Sequence, residues 1–352
     1  MIRIGVAGLG YWGPNLIRCF SDIAGCRVTA ICDQNQGALQ RIGEKYPQAK
    51  GFDDFNQMLE SGLIDATVIA TPTMTHFPLA MQALERGIHV LVEKPLAETA
   101  EQCREMIATA KENSCVLLVG HVFLYASAVL KLKELIVSNE LGRISYLSSR
   151  RLNLGPIRKD VSALFDLATH DISMMLYLLD SRPQRVTCSG IDLVHPEIHD
   201  VCNLTMHFHD KQMGMAHVSW LDPRKERVLT VVGDKKMAIY DDLDSEKIKI
   251  YDKGIIAPPS TGDFAEFQIS FRYGGSYCPF IQEREPLKTE CSEFIRCIQQ
   301  SAEPLTDGRN GMAVVEVLEA ANRSLQLGGV PIDLPMDDLE AVSSDMKSRS
   351  IR

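Results

Sequence analysis

The sequence predicts an α/β fold, with a doubly wound parallel sheet in its first third and then an α/β domain built on a mostly antiparallel sheet. In the first third, short apolar runs typical of a buried parallel sheet alternate with amphipathic helices. After about residue 121, most strand-like runs are separated by turn residues rather than helices. At 352 residues the chain is long enough for two domains, predicted at 1–122 and 123–334, and for a polar tail at 335–352.

Composition narrows the classes of function. The formal net charge of −9 argues against a nucleic-acid or anionic-membrane partner, because either would call for a basic face. No apolar run approaches the length of a membrane span, and the first strand follows Met1 at once, so we expect no signal peptide and a cytoplasmic protein. The ten cysteines form no CxxC pair, which predicts reduced, buried thiols and no zinc site.

The first strand and its loop, residues 2–15, have the pattern of a dinucleotide-binding turn. A β-rich run leads into Gly8, Gly10 and Gly13, and apolar residues at helical spacing follow. In this pattern the glycines allow a tight turn, close approach of a pyrophosphate to the backbone, and close packing of helix on strand. The free N–H groups of the helix start would bind the diphosphate. The alternative is a purely structural turn.

Asp33 ends the next apolar run, about twenty residues after Gly13. Its carboxylate would accept hydrogen bonds from the adenine ribose hydroxyls and repel a 2′-phosphate, which predicts NAD rather than NADP. The alternative is an aspartate that only caps the loop after its strand.

Three more buried strands are predicted within 66–71, 89–95 and 115–121, and helix starts are marked at Asp54 and by a capping box at Thr99. The ligand of a doubly wound sheet lies beyond the carboxyl ends of its strands. The residues expected along that edge are Gly10, Asp33, Thr71, Lys94 and His121.

The second part begins with a helix through Val129 and Leu132, a strand near 144–151 and a further helix. Five strand-like runs then predict an antiparallel meander: VCNLTMHF, MGMAHVSW, RVLTVVG, KMAIYD and KIKIY. Two late helices carry Phe294 and Val315 on their apolar faces.

Two groups of residues could carry chemistry. Lys94, at a strand end, could hydrogen-bond a substrate hydroxyl and stabilise the negative charge that develops as it becomes a carbonyl; alternatively it is only solvated. Asp166 and His170 are four residues apart on a helix, so the imidazole could take a hydroxyl proton while the carboxylate orients it. The alternatives are a helix-surface hydrogen bond, or two metal ligands that no further Cys or His cluster completes.

The segment 150–160 holds four cations, Arg150, Arg151, Arg158 and Lys159. In an acidic protein such a cluster beside a candidate site predicts contacts with a phosphate or carboxylate of the substrate. The alternatives are a solvated basic loop, or arginines that pair with Asp160 or Asp171 and stiffen the entrance to the following helix.

Five motifs together resemble the glucose-fructose oxidoreductase, inositol dehydrogenase and rhizopine-catabolism (Gfo/Idh/MocA) family of NAD(P)-dependent sugar oxidoreductases. They are GLGYWG from Gly8, ATPTMTH from Ala70, EKP from Glu93, GH from Gly120 and DLATHD from Asp166. The resemblance implies a Rossmann domain followed by an α/β domain with a large open antiparallel sheet, with the substrate between them. It also implies sheets that pair subunits into a homodimer or homotetramer, and a catalytic pair of Lys94 and His170 with Asp166 beside them.

The glycine fingerprint, the strand ends and the basic segment, together with these motifs, give the expected binding residues. Cofactor contacts are expected at Gly8, Gly10, Tyr11, Trp12, Gly13, Asp33, Thr71, Pro72, His76, Glu93, Lys94 and His121. Substrate contacts are expected at Arg151, Asn153, Arg158 and Asp160.

The segments RLNLGPIRKD and EPLKTECSEFI resemble family members that oxidise the C3 hydroxyl of a nucleotide sugar, which makes a UDP-N-acetylhexosamine or its uronate the expected substrate class. FLYASAV, after His121, departs from the version found in many relatives, so no substrate contact is expected at Leu124 or Tyr125. The alternatives are a dehydrogenase of a free sugar or cyclitol, and a non-catalytic NAD-binding sensor. A pure sensor need not keep both Lys94 and His170.

Overall fold

The computed structural model describes residues 1–159, 161–256 and 270–335. The chain forms two compact units, the first made of Met1–Ala126 and Arg284–Glu319, the second of Ser127–Glu283 and the residues from Ala320 on. This differs from the predicted division, which assigned residues 123–334 to the second domain. All but the first residue of the predicted tail at 335–352 lies outside the described residues.

The first unit contains the predicted parallel sheet. Its strands are β1 (Ile2–Ala7), β2 (Cys26–Cys32), β3 (Lys50–Phe52), β4 (Ala66–Ile69), β5 (His89–Glu93) and β6 (Leu117–Gly120). They run in the order β3-β2-β1-β4-β5-β6, and every pairing is parallel. The order reverses between β1 and β4, and this reversal is the crevice where a doubly wound sheet binds its ligand. The three-residue strand β3 was not predicted.

The helices of this half are α1 (Gly13–Ser21), α2 (Gln36–Lys45), α3 (Phe55–Glu60), α4 (His76–Leu84) and α5 (Ala100–Glu112). Of these, α3 and α5 begin directly after the marked residues Asp54 and Thr99. The Asp54 carboxylate accepts the Gln57 N–H at 2.8 Å, and Thr99 with Gln102 forms the predicted capping box. Each cap satisfies N–H groups that have no partner within the helix, so the helix start is fixed locally.

The second unit contains a nine-stranded sheet. Its strands are β7 (Ile144–Leu154), β8 (Arg185–Ile191), β9 (Val201–His207), β10 (Met213–Ser219), β11 (Leu221–Gly233), β12 (Met237–Asp241), β13 (Ile248–Ile256), β14 (Ser270–Tyr277) and β15 (Ile332–Asp333). They run in the order β14-β13-β12-β11-β7-β10-β9-β8-β15. The predicted meander is wrong in one respect: β7 lies between β10 and β11, parallel to β10 and antiparallel to β11.

Two helices of this unit, α6 (Ser127–Val137) and α7 (Thr169–Leu179), pack on one face of the sheet. Alternate residues such as Leu147, Val218 and Leu229 are buried on that face. Most of their neighbours on the other face are half-buried or exposed, as the two-residue period of a strand predicts when one face is covered.

The chain returns to the first unit with α8 (Pro286–Gln300) and the first part of α9 (Gly308–Gln326). Phe294 of α8 lies against Phe20 of α1, with ring centroids 6.3 Å apart in an edge arrangement, within the core on one face of the parallel sheet. Val315 of α9 joins the core on the other face. The helices α8 and α9 therefore complete the core of the first unit. A domain division that follows the order of the sequence could not predict this.

Candidate cofactor and catalytic site

The glycine loop has the conformation that its spacing predicts. Gly8 has φ +89°, a left-handed value that side chains disfavour, and a Cβ there would collide with the Ala70 carbonyl. A Cβ on Gly13 would collide with the Gly8 carbonyl oxygen, so this glycine permits the close packing of α1 on the loop. A Cβ on Gly10 would meet nothing within 4 Å, which leaves open space for a ligand to approach the backbone.

Asp33 follows β2 and stabilises the same loop. One carboxylate oxygen accepts the Leu9 N–H at 2.6 Å, and the other accepts the Asn35 N–H at 2.8 Å. Asp33 therefore has the capping role considered above. Each oxygen also has a second lone pair, so the ribose contact stays a prediction alongside that role.

Tyr11 and Trp12 are the exposed part of the loop. Their side chains are 80% and 39% exposed, and the rings meet edge to face with centroids 5.4 Å apart. The Tyr11 carbonyl accepts a hydrogen bond from the Asn15 amide at 3.0 Å, which fixes the backbone before α1. Both aromatic side chains are therefore available to a ligand at the helix start.

The segment after β4 contains three predicted cofactor residues. The Thr71 hydroxyl lies 2.6 Å from that of Thr75, and Pro72 is exposed. His76 is 1% exposed, and its ring nitrogens lie 2.8 Å and 2.9 Å from the carbonyls of Pro95 and Thr71. The imidazole thus links the ends of two strands, which is a structural role rather than the predicted cofactor contact.

At the ends of β5 and β6 the structure places three titratable groups together. The Oε2 oxygen of Glu93 accepts the Lys94 backbone N–H at 3.3 Å. The same oxygen lies 3.2 Å from the position that a Cβ on Gly120 would occupy. Burial raises the pKa of Glu93 to about 7, against the opposing attraction of the Lys94 ammonium. Burial also lowers the pKa of His121 to about 3, and Lys94 adds to that effect, so this imidazole is neutral.

A dinucleotide fits the residues of this edge. The open backbone at Gly10 and the start of α1 suit a diphosphate, Asp33 carries acceptor oxygens, and both His121 nitrogens are buried without a hydrogen-bond partner among the described residues. Gly8 to Gly13 would hold the diphosphate and Asp33 the adenine ribose. The nicotinamide half would then lie over β4, β5 and β6, on the other side of the reversal in strand order.

In the second unit, the residues before α7 form a π-helical turn, Leu164–Ala168, that runs directly into the helix. Such turns are rare and often occur at functional sites. Asp166 lies within the turn, where it accepts hydrogen bonds from Arg158 and from the indole N–H of Trp220, each at 3.3 Å. His170 is half-buried in the first turn of α7, and its carbonyl accepts the Ser173 hydroxyl at 2.8 Å.

The four predicted substrate residues have different surroundings. Arg151 is 4% exposed, and its guanidinium donates to both oxygens of the buried Asp171, Nε to Oδ2 at 2.8 Å and Nη2 to Oδ1 at 3.2 Å. This is the structural alternative named above, and it argues against a substrate contact. Arg158 is 38% exposed beside Asp166, Asn153 donates to the Gly155 carbonyl, and Asp160 lies outside the described residues.

Two residues of these regions were not predicted. Trp220 is 1% exposed and connects Asp166 to the loop at Gly155, whose N–H donates to the Trp220 carbonyl at 2.9 Å. Glu290 of α8 is fully buried in the first unit. The only sequence signal for Glu290 was its position within an apolar helix face, where a charged residue is unexpected.

The other expectations concern cysteines, metals and membranes. All ten cysteines are free thiols; seven are buried, and Cys278 is exposed, contrary to the expectation for it. Within the described ranges no group of three or more His, Cys, Asp or Glu side chains could hold a metal ion. None of the helices in that part of the chain has both the length and the apolar character needed to cross a bilayer.

Two family profiles match the chain. Residues 2–121 match "Oxidoreductase family, NAD-binding Rossmann fold", and residues 129–239 match "GFO/IDH/MocA C-terminal domain".

Two relatives align over nearly their whole length. UDP-N-acetylglucosamine 3-dehydrogenase from Acidithiobacillus ferrooxidans is 24% identical over 315 residues, which cover 89% of this chain and 94% of the relative. Myo-inositol 2-dehydrogenase from Thermotoga maritima is 25% identical over 343 residues, covering 92% and 96%. A solved structure of the Acidithiobacillus enzyme has a TM-score of 0.79 at 23% identity, covering 93% of this chain and 98% of that one, which supports the fold.

Other alignments are shorter. An uncharacterised oxidoreductase from Streptococcus pneumoniae is 26% identical over 61% of this chain and 62% of its own length. A 2,7-anhydro-N-acetylneuraminate hydratase from Mediterraneibacter gnavus is 27% identical over 54% and 52%. The chain therefore spans between half and two thirds of these relatives.

Proposed function

Because the chain belongs to the Gfo/Idh/MocA family of NAD-binding oxidoreductases, we propose that it oxidises a secondary hydroxyl, at C3, of a nucleotide-linked sugar. The observation that carries the choice of substrate is the alignment with a UDP-N-acetylglucosamine 3-dehydrogenase over 94% of that enzyme. The EKP and DLATHD motifs, which contain Lys94 and His170, give the chain the two groups that such an oxidation needs.

In the proposed mechanism the bound cofactor supplies a nicotinamide ring that accepts the hydride from the substrate carbon. The His170 imidazole takes the hydroxyl proton, and the Lys94 ammonium donates a hydrogen bond to the same oxygen as it becomes a carbonyl. Asp166 and Trp220 hold the turn that precedes His170. The part-exposed Arg158 guanidinium binds an anionic part of the substrate, a role for which the buried Arg151 is unsuited.

The experiment is to mix the protein and NAD with a panel of UDP-, dTDP- and GDP-linked sugars and their parent free sugars, and to follow NADH absorbance and product mass. A substrate deuterated at C3 should transfer its label to the cofactor. Turnover of free sugars alone would contradict the nucleotide requirement, and label retained in the product would contradict C3. No keto-sugar from any substrate would favour the non-catalytic sensor.

A second candidate is oxidation of a free cyclitol or sugar. It is favoured by the alignment with a myo-inositol 2-dehydrogenase over 343 residues, which is as extensive as the first. Including myo-inositol in the panel distinguishes the two, because an inositol dehydrogenase has no need of a nucleotide.

We also propose that the half-buried face of the nine-stranded sheet pairs two copies of the chain. This face carries apolar side chains that include Tyr146 of β7, Met215 of β10, Val232 of β11 and Ile239 of β12, with Tyr146 directly opposite Val232. Light scattering after size exclusion should give a dimer or tetramer mass, and Met215→Lys should lower it. A monomer for the unchanged protein at micromolar concentration would contradict the proposal.

A further inference from the structure

Glu290 is a buried acid whose surroundings leave its hydrogen-bonding capacity unused. It is 0% exposed, and neither carboxyl oxygen has a hydrogen-bond partner among the described residues. A buried, unpaired carboxylate is costly, so burial, with repulsion from Glu93, raises the pKa of Glu290 well above its usual range. The group is therefore a neutral acid with one O–H to donate.

The helix α8 lies on the face of the parallel sheet to which Glu93 belongs, because Leu287 and Cys291 of α8 share a core cluster with Leu91, two residues before Glu93 on β5. It packs against the turn Val122–Tyr125, which directly follows His121, and against α1. Glu93 in turn lies against Gly120, the residue before His121. The titratable groups that surround the two acids are Lys94, His121, Tyr125, Cys19 and Cys291.

The two acids and His121 complement one another as donors and acceptors. The neutral Glu290 offers an O–H, and ionised Glu93 offers acceptor oxygens. The neutral His121 imidazole offers one N–H and one acceptor nitrogen, neither of which has a partner within the described chain. A buried water with two to four polar partners satisfies such groups in folded proteins.

We propose that Glu290 is a positioning residue: held protonated, it donates its O–H through an ordered water to the Glu93 carboxylate and so keeps Glu93 ionised. A donor favours the charged form of the group that accepts it. Without this donor, burial would leave Glu93 much closer to neutral at the pH of the cell.

An ionised Glu93 would favour the oxidised cofactor. It ends β5, on the side of the sheet where the nicotinamide half lies, and that ring is positively charged when oxidised and neutral when reduced. This inference rests on the cofactor binding in the proposed function, but not on the identity of the substrate. Glu290 would therefore strengthen binding of NAD⁺ relative to NADH and leave the NADH affinity unchanged.

The test is calorimetric titration with NAD⁺ and with NADH at about pH 6 and about pH 8, for the unchanged protein and three variants. Glu290→Met removes the donor but keeps the length of the side chain, and Glu290→Gln keeps a donor. Ser292→Ala, on the exposed face of the same helix, is the control.

The expected pattern depends on pH. If the donor lowers the proton affinity of Glu93 about tenfold, its removal reduces the ionised fraction about fivefold near pH 6 and hardly at all near pH 8. The Kd of NAD⁺ should therefore rise about fivefold in Glu290→Met near pH 6 and stay within about twofold near pH 8. The Kd of NADH, and both values in Glu290→Gln and Ser292→Ala, should stay within about twofold at either pH.

Three results would each overturn the proposal in favour of a packing role. They are equal increases in the Kd of NAD⁺ and of NADH, the same loss of NAD⁺ affinity at both pH values, and a Glu290→Gln variant that behaves like Glu290→Met. If Glu290→Met does not fold, Glu290→Ala, which leaves a space rather than a misfit, should show the same pattern. Failure of the unchanged protein to bind either cofactor would instead refute the cofactor role in the proposed function.

Discussion

Replacing Arg151 by Ala should destabilise the second unit without selectively weakening the binding of an anionic substrate. Arg151 and Asp171 are 4% and 2% exposed and share two hydrogen bonds, with the shorter at 2.8 Å. Burial alone would lower the pKa of Arg151, but the charge and hydrogen bonds of Asp171 outweigh that effect and raise it above its usual value. Arg227, Tyr240 and Asp242 lie beside the pair, in a crevice too narrow to hold a water molecule.

The magnitude follows from what the substitution leaves behind. Removing one partner of a buried ion pair strands the other charge and costs about 3 to 5 kcal/mol, whereas an exposed pair contributes about 1 kcal/mol or less. Arg158 and Asp166, whose side chains are 38% and 22% exposed, supply the comparison. The melting temperature should therefore fall by about 6 to 20 °C in Arg151→Ala and by a few degrees at most in Arg158→Ala.

The assay combines thermal unfolding with KM for a nucleotide sugar and for its parent free sugar. Arg151→Ala should change the two KM values together, while Arg158→Ala should raise KM for the charged substrate about tenfold to a hundredfold, the equivalent of about 1.4 to 3 kcal/mol. The reasoning about Arg151 is refuted if its removal costs less than about 1 kcal/mol and raises only the KM of the nucleotide sugar.

Three further predictions concern the first unit and the catalytic pair. Gly13→Ala should abolish cofactor binding because the new Cβ would collide with the Gly8 carbonyl oxygen. The control, Gly43→Ala in α2, has open space around it, so it should bind NAD normally and gain up to about 1 kcal/mol in the free energy of urea unfolding. A Gly13→Ala protein that binds the cofactor would contradict this prediction. NAD should bind more tightly than NADP by about 1 to 3 kcal/mol because Asp33 repels a 2′-phosphate, and equal dissociation constants by calorimetry would overturn the assignment. Lys94→Ala and His170→Ala should each lower kcat and leave the NAD affinity unchanged, and for His170→Ala the loss of kcat should be about a hundredfold to ten-thousandfold. If His170→Ala stayed active across the pH range, another residue would have to be the base.

The first unit could be predicted from sequence because its signals are local. A glycine turn, a capping box and a buried parallel strand are each specified by residues within a few positions of one another, and the structure confirms Gly8, Gly13 and the Thr99 box in these roles. The strand β3 was missed because three residues are too few to show a period.

The nine-stranded sheet shows what local sequence signals cannot predict. The period of two identified β9 to β13 as strands, but strand order depends on which edges pair, and the sequence of a strand does not encode its neighbour. Inserting β7 between β10 and β11 places Arg151 beside both the helix α7 and the strand β11, so that its guanidinium reaches Asp171 twenty positions further along the chain. A long-range pairing of that kind cannot be read from the basic segment alone.

The same limit explains why the predicted roles of polar residues differ from those in the structure more often than the predicted roles of apolar residues do. An apolar residue on a periodic face is buried in almost any arrangement of the elements, whereas the meaning of a charged residue depends on whether water or another side chain surrounds it. Arg151, His76 and Glu290 are all buried, and each therefore acts on another protein group: a carboxylate, two backbone carbonyls and, in our proposal, a neighbouring acid. Arg158 remains part-exposed beside Asp166 of the π-helical turn, so it is the cation next to the candidate catalytic residues with which an anionic substrate should be tested.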